Sequence, residues 1–316
     1  LNANVLQIDW QVRVSFIAQV WFKDKAFINL VVLHFLNRKI TKMNAQPDWF
    51  KILNDCKNNV EKAIKPHLKT IHEPLPDLGI GAGGDLMKPA DLAAEKAIVD
   101  TLQSHGISFS LISEESGFQK YGDNPEECYI TIDPIDGTTN FLRGLPFYAS
   151  SIAVSRKPVM AEVYAALVTD LYHDITYMAQ EGRGAYRDGE KIKTSNVDSL
   201  QEAVIGMDLN TYKVAEVAAK LTDLIQHTKH IRHYGANALE LCYVANGLTD
   251  AFVDIRGKLR TTDVAAGFLI IKEAGGLVTG MDNQPVNVKL DPKQSLKFVA
   301  SGNTKIHETI LGLVKP

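Results

Sequence analysis

Between residues 47 and 66 the apolar side chains of Trp49, Phe50, Ile52, Leu53, Cys56, Val60, Ala63 and Ile64 recur every three or four positions. That is a helical period, and Pro66 ends it. A second short helix is expected up to His72, followed by a loop over Glu73–Asp85, where proline and glycine cluster. The helical period returns in Leu92, Ala94, Ala97, Ile98, Thr101 and Leu102 and stops at Gly106, with Asp91 as a natural N-cap. Ile107–Ser113 and Cys128–Ile132 alternate with period two and read as strands. The runs 147–154, 159–168, 175–179 and 184–186 predict an antiparallel meander, turned at Arg187–Glu190. From Ala203 the texture changes. Short β-rich runs at 203–207, 250–255, 277–279 and 296–300 alternate with helical patterns at 213–226, 236–246, 263–274 and 303–314, an α/β half with a partly parallel sheet. Gly275 and Gly276 cap the helix that ends at Ala274.

These textures divide the chain into an α+β half over 43–195 and an α/β half over 196–316. Residues 1–42 stand apart. The apolar run Ala26–Leu36 is shorter than the roughly 20 residues a membrane helix needs, and Asn29 and His34 interrupt it. A signal peptide is not expected, because a basic start and a small-residue cleavage site are lacking. Met43 reads as a natural start, which makes 1–42 an extension that need not be native. An arm that packs on a partner subunit is the alternative.

Composition narrows the class. With 316 residues, 45% hydrophobic and 22% charged, the chain suits an ordinary soluble protein with a large core. A net charge of −3 gives no electrostatic case for nucleic acid or an anionic membrane. Cys56, Cys128 and Cys242 lack metal-ligand spacing and cannot all pair, which points to a reducing cytoplasm.

The candidate chemistry centres on Asp133-Pro134-Ile135-Asp136-Gly137-Thr138-Thr139-Asn140-Phe141. Two carboxylates stand at or just past a strand end, and the proline between them fixes a change of direction. Gly137 permits close approach of backbone to a ligand, and the threonines add hydroxyls and amides. A helical turn starting there would aim free N–H groups at an anion beside a metal held by Asp133 and Asp136. Residue by residue, a tight turn explains the same types. Glu114-Glu115 reads alone as a solvated pair, and Asp263, ahead of Ala265-Ala266-Gly267, as a helix cap.

As a string, the nine residues resemble the signature of the inositol monophosphatase family, magnesium-dependent phosphatases that include archaeal and bacterial fructose bisphosphatases. Glu114-Glu115-Ser116 matches a second family motif, and Asp263 with its small residues a third, although Thr262 replaces the usual tryptophan. The resemblance spans about residues 47–315. It implies a layered αβαβα sugar-phosphatase fold, of mixed α+β and α/β character, with a large antiparallel sheet and a smaller mixed one. It also implies Glu114, Asp133, Asp136, Asp263 and the Ile135 carbonyl as ligands of two or three Mg²⁺ ions, with Mn²⁺ as a substitute, and Glu115 just behind them. Asp91 pairs in the family with the first threonine of the string, here Thr138, to orient the attacking water, though Lys88 stands where members usually carry threonine. The amides of Gly137 and Thr138 bind phosphate, and Asp136 also touches substrate. In the family the equivalent of the glycine-rich loop ending at Asp85 closes over the metals, which would let Asp85 and Lys88 approach the substrate; a plain surface loop is the equal alternative. A homodimer is expected.

Seven positions before Asp263, inositol-specific members carry a carboxylate that reads hydroxyls, whereas this chain has Arg256, followed by Lys258 and Arg260. A guanidinium suits a second phosphate better than a hydroxyl. Fructose 1,6-bisphosphate is therefore the expected main substrate, with inositol 1-phosphate also hydrolysed. Arg232 is a weaker candidate for the same wall. The alternatives are a nucleotidase acting on 3′-phosphoadenosine phosphate and a regulatory binding protein that keeps the fold.

Overall fold

The computed structural model describes residues 47–69 and 76–314; the extension 1–42 and the end of the second expected helix lie outside them. Helix α1 (Trp49–Ile64) buries Trp49, Ile52, Leu53, Cys56, Val60 and Ile64, the stripe that its period places on one face. It packs along α2 (Pro89–Ser104), and Asn59 donates to Thr101 Oγ1 across the pair (2.9 Å). Both helices cover one face of an eight-stranded sheet of order β2-β1-β3-β4-β5-β6-β7-β8.

The strands of this sheet are β1 (Phe109–Ser113), β2 (Gly117–Tyr121), β3 (Tyr129–Asp136), β4 (Ala149–Ser155), β5 (Val163–Asp170), β6 (Ile175–Gln180), β7 (Gly184–Arg187) and β8 (Glu190–Lys191). All neighbours are antiparallel except β1 and β3, which run parallel. Alternate residues serve opposite faces. Ile130, Ile132, Ile152, Val154, Ala165 and Leu167 meet α1 and α2. Ala153, Ala166, Val168 and Tyr177 meet a central helical layer, α5 (Asn237–Ala245) and α6 (Thr261–Glu273).

Beyond that layer lies a five-stranded sheet of order β10-β9-β11-β13-β12, built from β9 (Val204–Met207), β10 (His230–Arg232), β11 (Ala251–Asp254), β12 (Leu277–Thr279) and β13 (Phe298–Ser301). Its β10-β9-β11 part is parallel and β13 and β12 are antiparallel additions. Phe252 and Phe298 face the central helices, while Ile205, Val253 and Val299 face α4 (Val214–His227) and α7 (Thr304–Leu313). The five layers run αβαβα, as expected. The boundary expected at 195/196 falls in the connection between β8 and β9, and hence between the two sheets.

Parts of the strand pattern differ from expectation. The run 159–168 splits, because Met160–Glu162 form a 3₁₀ turn before β5 starts. β2 was not apparent in the pattern, since its middle residues face solvent and carry no apolar alternation. The same holds for β10, which is exposed throughout. Cys56, Cys128 and Cys242 are buried free thiols. Among the described residues no helix is long and apolar enough to cross a membrane.

Candidate active site

β3 does not stop at Ile132 as its alternation suggested; it runs on to Asp136. Asp133 pairs with Ser151 and Asp136 with Ala149, so three steps on β3 match two on β4. This is a bulge, and Pro134, which has no N–H to give the ladder, lies in it. In a regular strand residues three apart face opposite ways. The extra residue brings both carboxylates to one cavity of about 1060 Å³, where Glu114, Ile135 and Asp263 also lie.

The acids arrive from separate elements. Glu114 follows the end of β1, and Asp263 comes from the first turn of α6. Carboxylate oxygens of Glu114, Asp133 and Asp263 lie within 4.8 Å of one another. Asp136 is held from a third direction: its Oδ2 accepts from the N–H of Ala238 (2.6 Å), at the N-terminus of α5. Two capping expectations need correcting. Asp91 is not the N-cap of α2, which starts at Pro89 after Lys88; it lies inside the first turn. Proline suits the first helical position because its missing N–H has no helical partner to lose. Asp263 likewise sits three residues after the N-cap Arg260, and its Oδ2 accepts from the Arg260 backbone N–H (2.7 Å).

Electrostatics follow from burial. Burial first, then the charges of Glu114, Asp136 and Asp263, hold the Asp133 carboxyl well above its usual range. Glu114 is pushed up to about 8 by burial and by Asp263. Asp136 rises to about 7 through burial and Asp263, although the Ala238 and Asn237 amides pull it down. Burial also raises Asp263, against the opposing charge of Arg260. Four acids with one guanidinium among them leave a negative charge that protons or cations must relieve. The donors are all oxygen, so the set fits a hard divalent ion.

Beside the acids, Gly137 takes φ +84° and caps the short helix α3 (Thr138–Arg143). Its close approach is to the chain itself. A Cβ there would lie 2.9 Å from the Phe147 carbonyl and 3.0 Å from that of Gly235, so glycine is required on two counts. Thr138 Oγ1 is 2.9 Å from the Ile135 carbonyl and 3.4 Å from Asp91 Oδ1, which brings the expected Asp91–Thr138 pair together. Asp91 is pushed up to about 8 by burial and by Glu115. Glu115 itself rises to about 7, through burial and then Glu95.

The glycine-rich loop forms a small hairpin bridged at Ile80 and Leu86. Ala82 and Gly83 donate to the carbonyls of Glu115 and Glu114 (2.9 and 2.7 Å). Asp85 and Lys88 line the cavity. Arg256 and Lys258 line it too, but Arg256 is not an unoccupied cation. Its guanidinium is clasped by Asp254 and Asp208 with only 4% of the side chain exposed. Lys258 Nζ donates to the Asn210 carbonyl (3.2 Å) and stands over the Tyr212 ring. Arg232 lies on exposed β10, bonds its neighbour's carbonyl and does not line the cavity.

Several groups went unrecognised in sequence. Glu95 accepts from Ser113 Oγ behind Glu115; its spacing of four from Asp91 on one helical face was the available signal. Glu240 accepts from the N–H groups of Tyr234 and Gly235 (3.0 and 3.2 Å), shaping the loop against which Gly137 packs. Asp208, Asn210 and His233 come from the second sheet's loops with no local motif.

Comparison with known proteins agrees with this architecture. A fructose-1,6-bisphosphatase/inositol-1-monophosphatase of Methanothermobacter thermautotrophicus is 33% identical over 272 residues, covering 83% of this chain and 95% of that protein. A bifunctional NADP phosphatase/NAD kinase of Methanococcus maripaludis is 34% identical over 283 residues, 84% of this chain but 49% of that protein, so the chain spans about half of that relative. The crystal structure of an inositol monophosphatase–fructose 1,6-bisphosphatase superposes with a TM-score of 0.75 at 31% identity, covering 84% of this chain and 100% of that one. The inositol monophosphatase family model matches residues 53–315, and the chain belongs to that family.

Proposed function

We propose that the protein is a Mg²⁺-dependent phosphatase of small phosphorylated sugars and cyclitols. It would hydrolyse fructose 1,6-bisphosphate to fructose 6-phosphate and inositol 1-phosphate to inositol, by direct attack of water. The observation that carries this reading is the meeting of Glu114, Asp133 and Asp263 oxygens within 4.8 Å, next to the Asp91–Thr138 pair.

Glu114, Asp133, Asp136 and Asp263, with the Ile135 carbonyl, would hold two or three Mg²⁺ ions, or Mn²⁺ in their place. Such ions, once bound, acidify water and offset charge on the leaving oxygen. The chain supplies orientation. Asp91 holds the Thr138 hydroxyl, which accepts from the attacking water and aims it at phosphorus. Amides at Gly137 and Thr138, at the start of α3, bind phosphate oxygens. The aspartates are committed to ion binding, so no phosphoenzyme forms. On the far wall Lys258 and Lys293 line the cavity, while Arg256 fixes Asp208 and Asn210 beside them. That wall favours a substrate with a second phosphate.

The relative named as an NADP phosphatase supports a second reading, a nucleotide 2′- or 3′-phosphate substrate. Phosphate release with Mg²⁺ should be measured in parallel from fructose 1,6-bisphosphate, inositol 1-phosphate, 3′-phosphoadenosine phosphate and NADP. Fructose 1,6-bisphosphate should be turned over fastest. Preference for either nucleotide would select the second reading, and release from none of the four would overturn both.

A further inference from the structure

Three parallel strands of the second sheet, β10, β9 and β11, end side by side at the cavity. His233 and Asp208 directly follow the first two, Arg256 comes two places after the third, and all three line the wall. The crevice outside the carboxyl ends of parallel strands is where open α/β sheets bind ligands. Here the side chains form a row. Arg256 Nη1 is paired with Asp208 Oδ2; Asp208 Oδ1 accepts from the Asn210 N–H (2.7 Å) and lies 3.6 Å from His233 Nε2. The other ring nitrogen, Nδ1, is 3.8 Å from Glu240 Oε1. Both gaps exceed a hydrogen bond, and the imidazole is 43% exposed. The loop that carries it is tied on two sides. Glu240 accepts from the Tyr234 and Gly235 N–H groups, and Asn140 Nδ2, on α3, donates to the Tyr234 carbonyl (2.7 Å). An ester whose phosphate sits at the start of α3 therefore has its alcohol part beside this wall.

We propose that Asp208 and His233 form a subsite for hydroxyl groups on the alcohol part of the substrate. This rests on the cavity being a sugar-phosphate and cyclitol-phosphate phosphatase site. A hydroxyl both donates and accepts. Its oxygen, about 2.8 Å from each partner, fits in front of a carboxylate oxygen and an imidazole nitrogen 3.6 Å apart, donating to Asp208 and accepting from His233. Arg256 acts as a positioning residue. It stands where inositol-specific members carry the hydroxyl-reading carboxylate, and its clasp fixes a carboxylate from the end of β9 in the wall instead. The acid is supplied by a neighbouring strand, while Lys258 and Lys293 serve a second phosphate on the same wall.

The test compares phosphate release by the full chain, with Mg²⁺, from inositol 1-phosphate and from cyclohexyl phosphate, which keeps the ring without its hydroxyls. The wild type should favour the inositol ester in kcat/KM. That preference should fall about tenfold, the order of one hydrogen bond, in Asp208→Asn and in His233→Phe. Leaving-group chemistry is the same in every variant and cancels in the change of preference. His233→Gln, which keeps a side-chain donor, should restore most of it. A merely structural role would slow both esters alike, and an equal loss on both would overturn the subsite. So would an unchanged preference in His233→Phe, which would mean that the pair holds water only. If Asp208→Asn fails to fold, the two variants at the exposed His233 decide. Release from neither ester by the wild type would sink the phosphatase reading itself and the subsite with it.

Discussion

Two arginines four residues apart sit in two different electrostatic settings. Arg256 lies between Asp254 and Asp208, almost fully buried, and its guanidinium also donates to the Asn210 carbonyl. Arg260 faces Glu114, Asp263 and Asp85, with Asp133 and Asp136 close behind, and stays more exposed. Around Arg256 the neighbouring carboxylates are directly paired and the wall is held shut. Around Arg260 the acids outnumber it, and burial pushes Glu114 up to about 8 and Asp136 up to about 7. One arginine completes a structure. The other leaves a deficit of positive charge, and that deficit is where the proposed chemistry lies.

Substitutions should separate the two regions by what they damage. Asp133→Asn in the deficient region should cut phosphate release by roughly a thousandfold or more, because an ion ligand is lost. Its Tm in chelator should not fall, since a buried repulsion goes with it; a large drop in Tm would mean that Asp133 is structural. Arg256→Leu should do the reverse, leaving Asp254 and Asp208 buried without a counter-charge, at a cost of about 3–5 kcal/mol. That should appear as a Tm lower by roughly 10 °C. A Tm within a degree of wild type would show that the clasp contributes nothing. Thr138→Ala should lower kcat by about a hundredfold with little change in KM, as expected for a group that orients the attacking water. An effect on KM alone would reassign it to binding.

The smallest effect is on pH dependence. Glu114, Asp91 and Asp136 have folded-state pKa values above their unfolded ones, chiefly through burial, so the folded chain binds the extra protons. Their contribution to stability is fully present below about pH 4 and is lost as pH rises through 7 and 8. In chelator, Tm should therefore decline between pH 5 and 8. Adding Mg²⁺ should raise it more at pH 8 than at pH 6, because protons compete for the ligands. An equal Mg²⁺ effect at both values would show that these acids are not the ones binding the ion.

How much of this could be read in the chain depends on how local each signal is. The helices and the meander were legible because their periodicity expresses burial on one face. β2 and β10 were not, because edge strands with solvent on their outer side lack that pattern. The Asp133–Asp136 string was recognisable as a whole, but the bulge that turns both acids to one side depends on pairing with β4. Asp91 and Asp263 each looked like a cap. Each lies three residues past the cap, within the first turn of its helix, and lines the cavity. The spacing of Arg256 from Asp263 suggested a phosphate ligand, whereas its clasp by Asp208 and Asp254 depends on β9 and β11 lying side by side. Arg260 was read only as a further cation beside Arg256, because its partners Glu114 and Asp85 lie 146 and 175 residues away along the chain.

The most direct test is anomalous scattering from crystals of the full chain grown or soaked with Mn²⁺. Manganese peaks in bonding contact with Glu114, Asp133 and Asp263, together with phosphate release that a chelator abolishes and Mg²⁺ restores, are the predicted result. An absence of manganese at those three carboxylates, with turnover undiminished in chelator, would contradict the account.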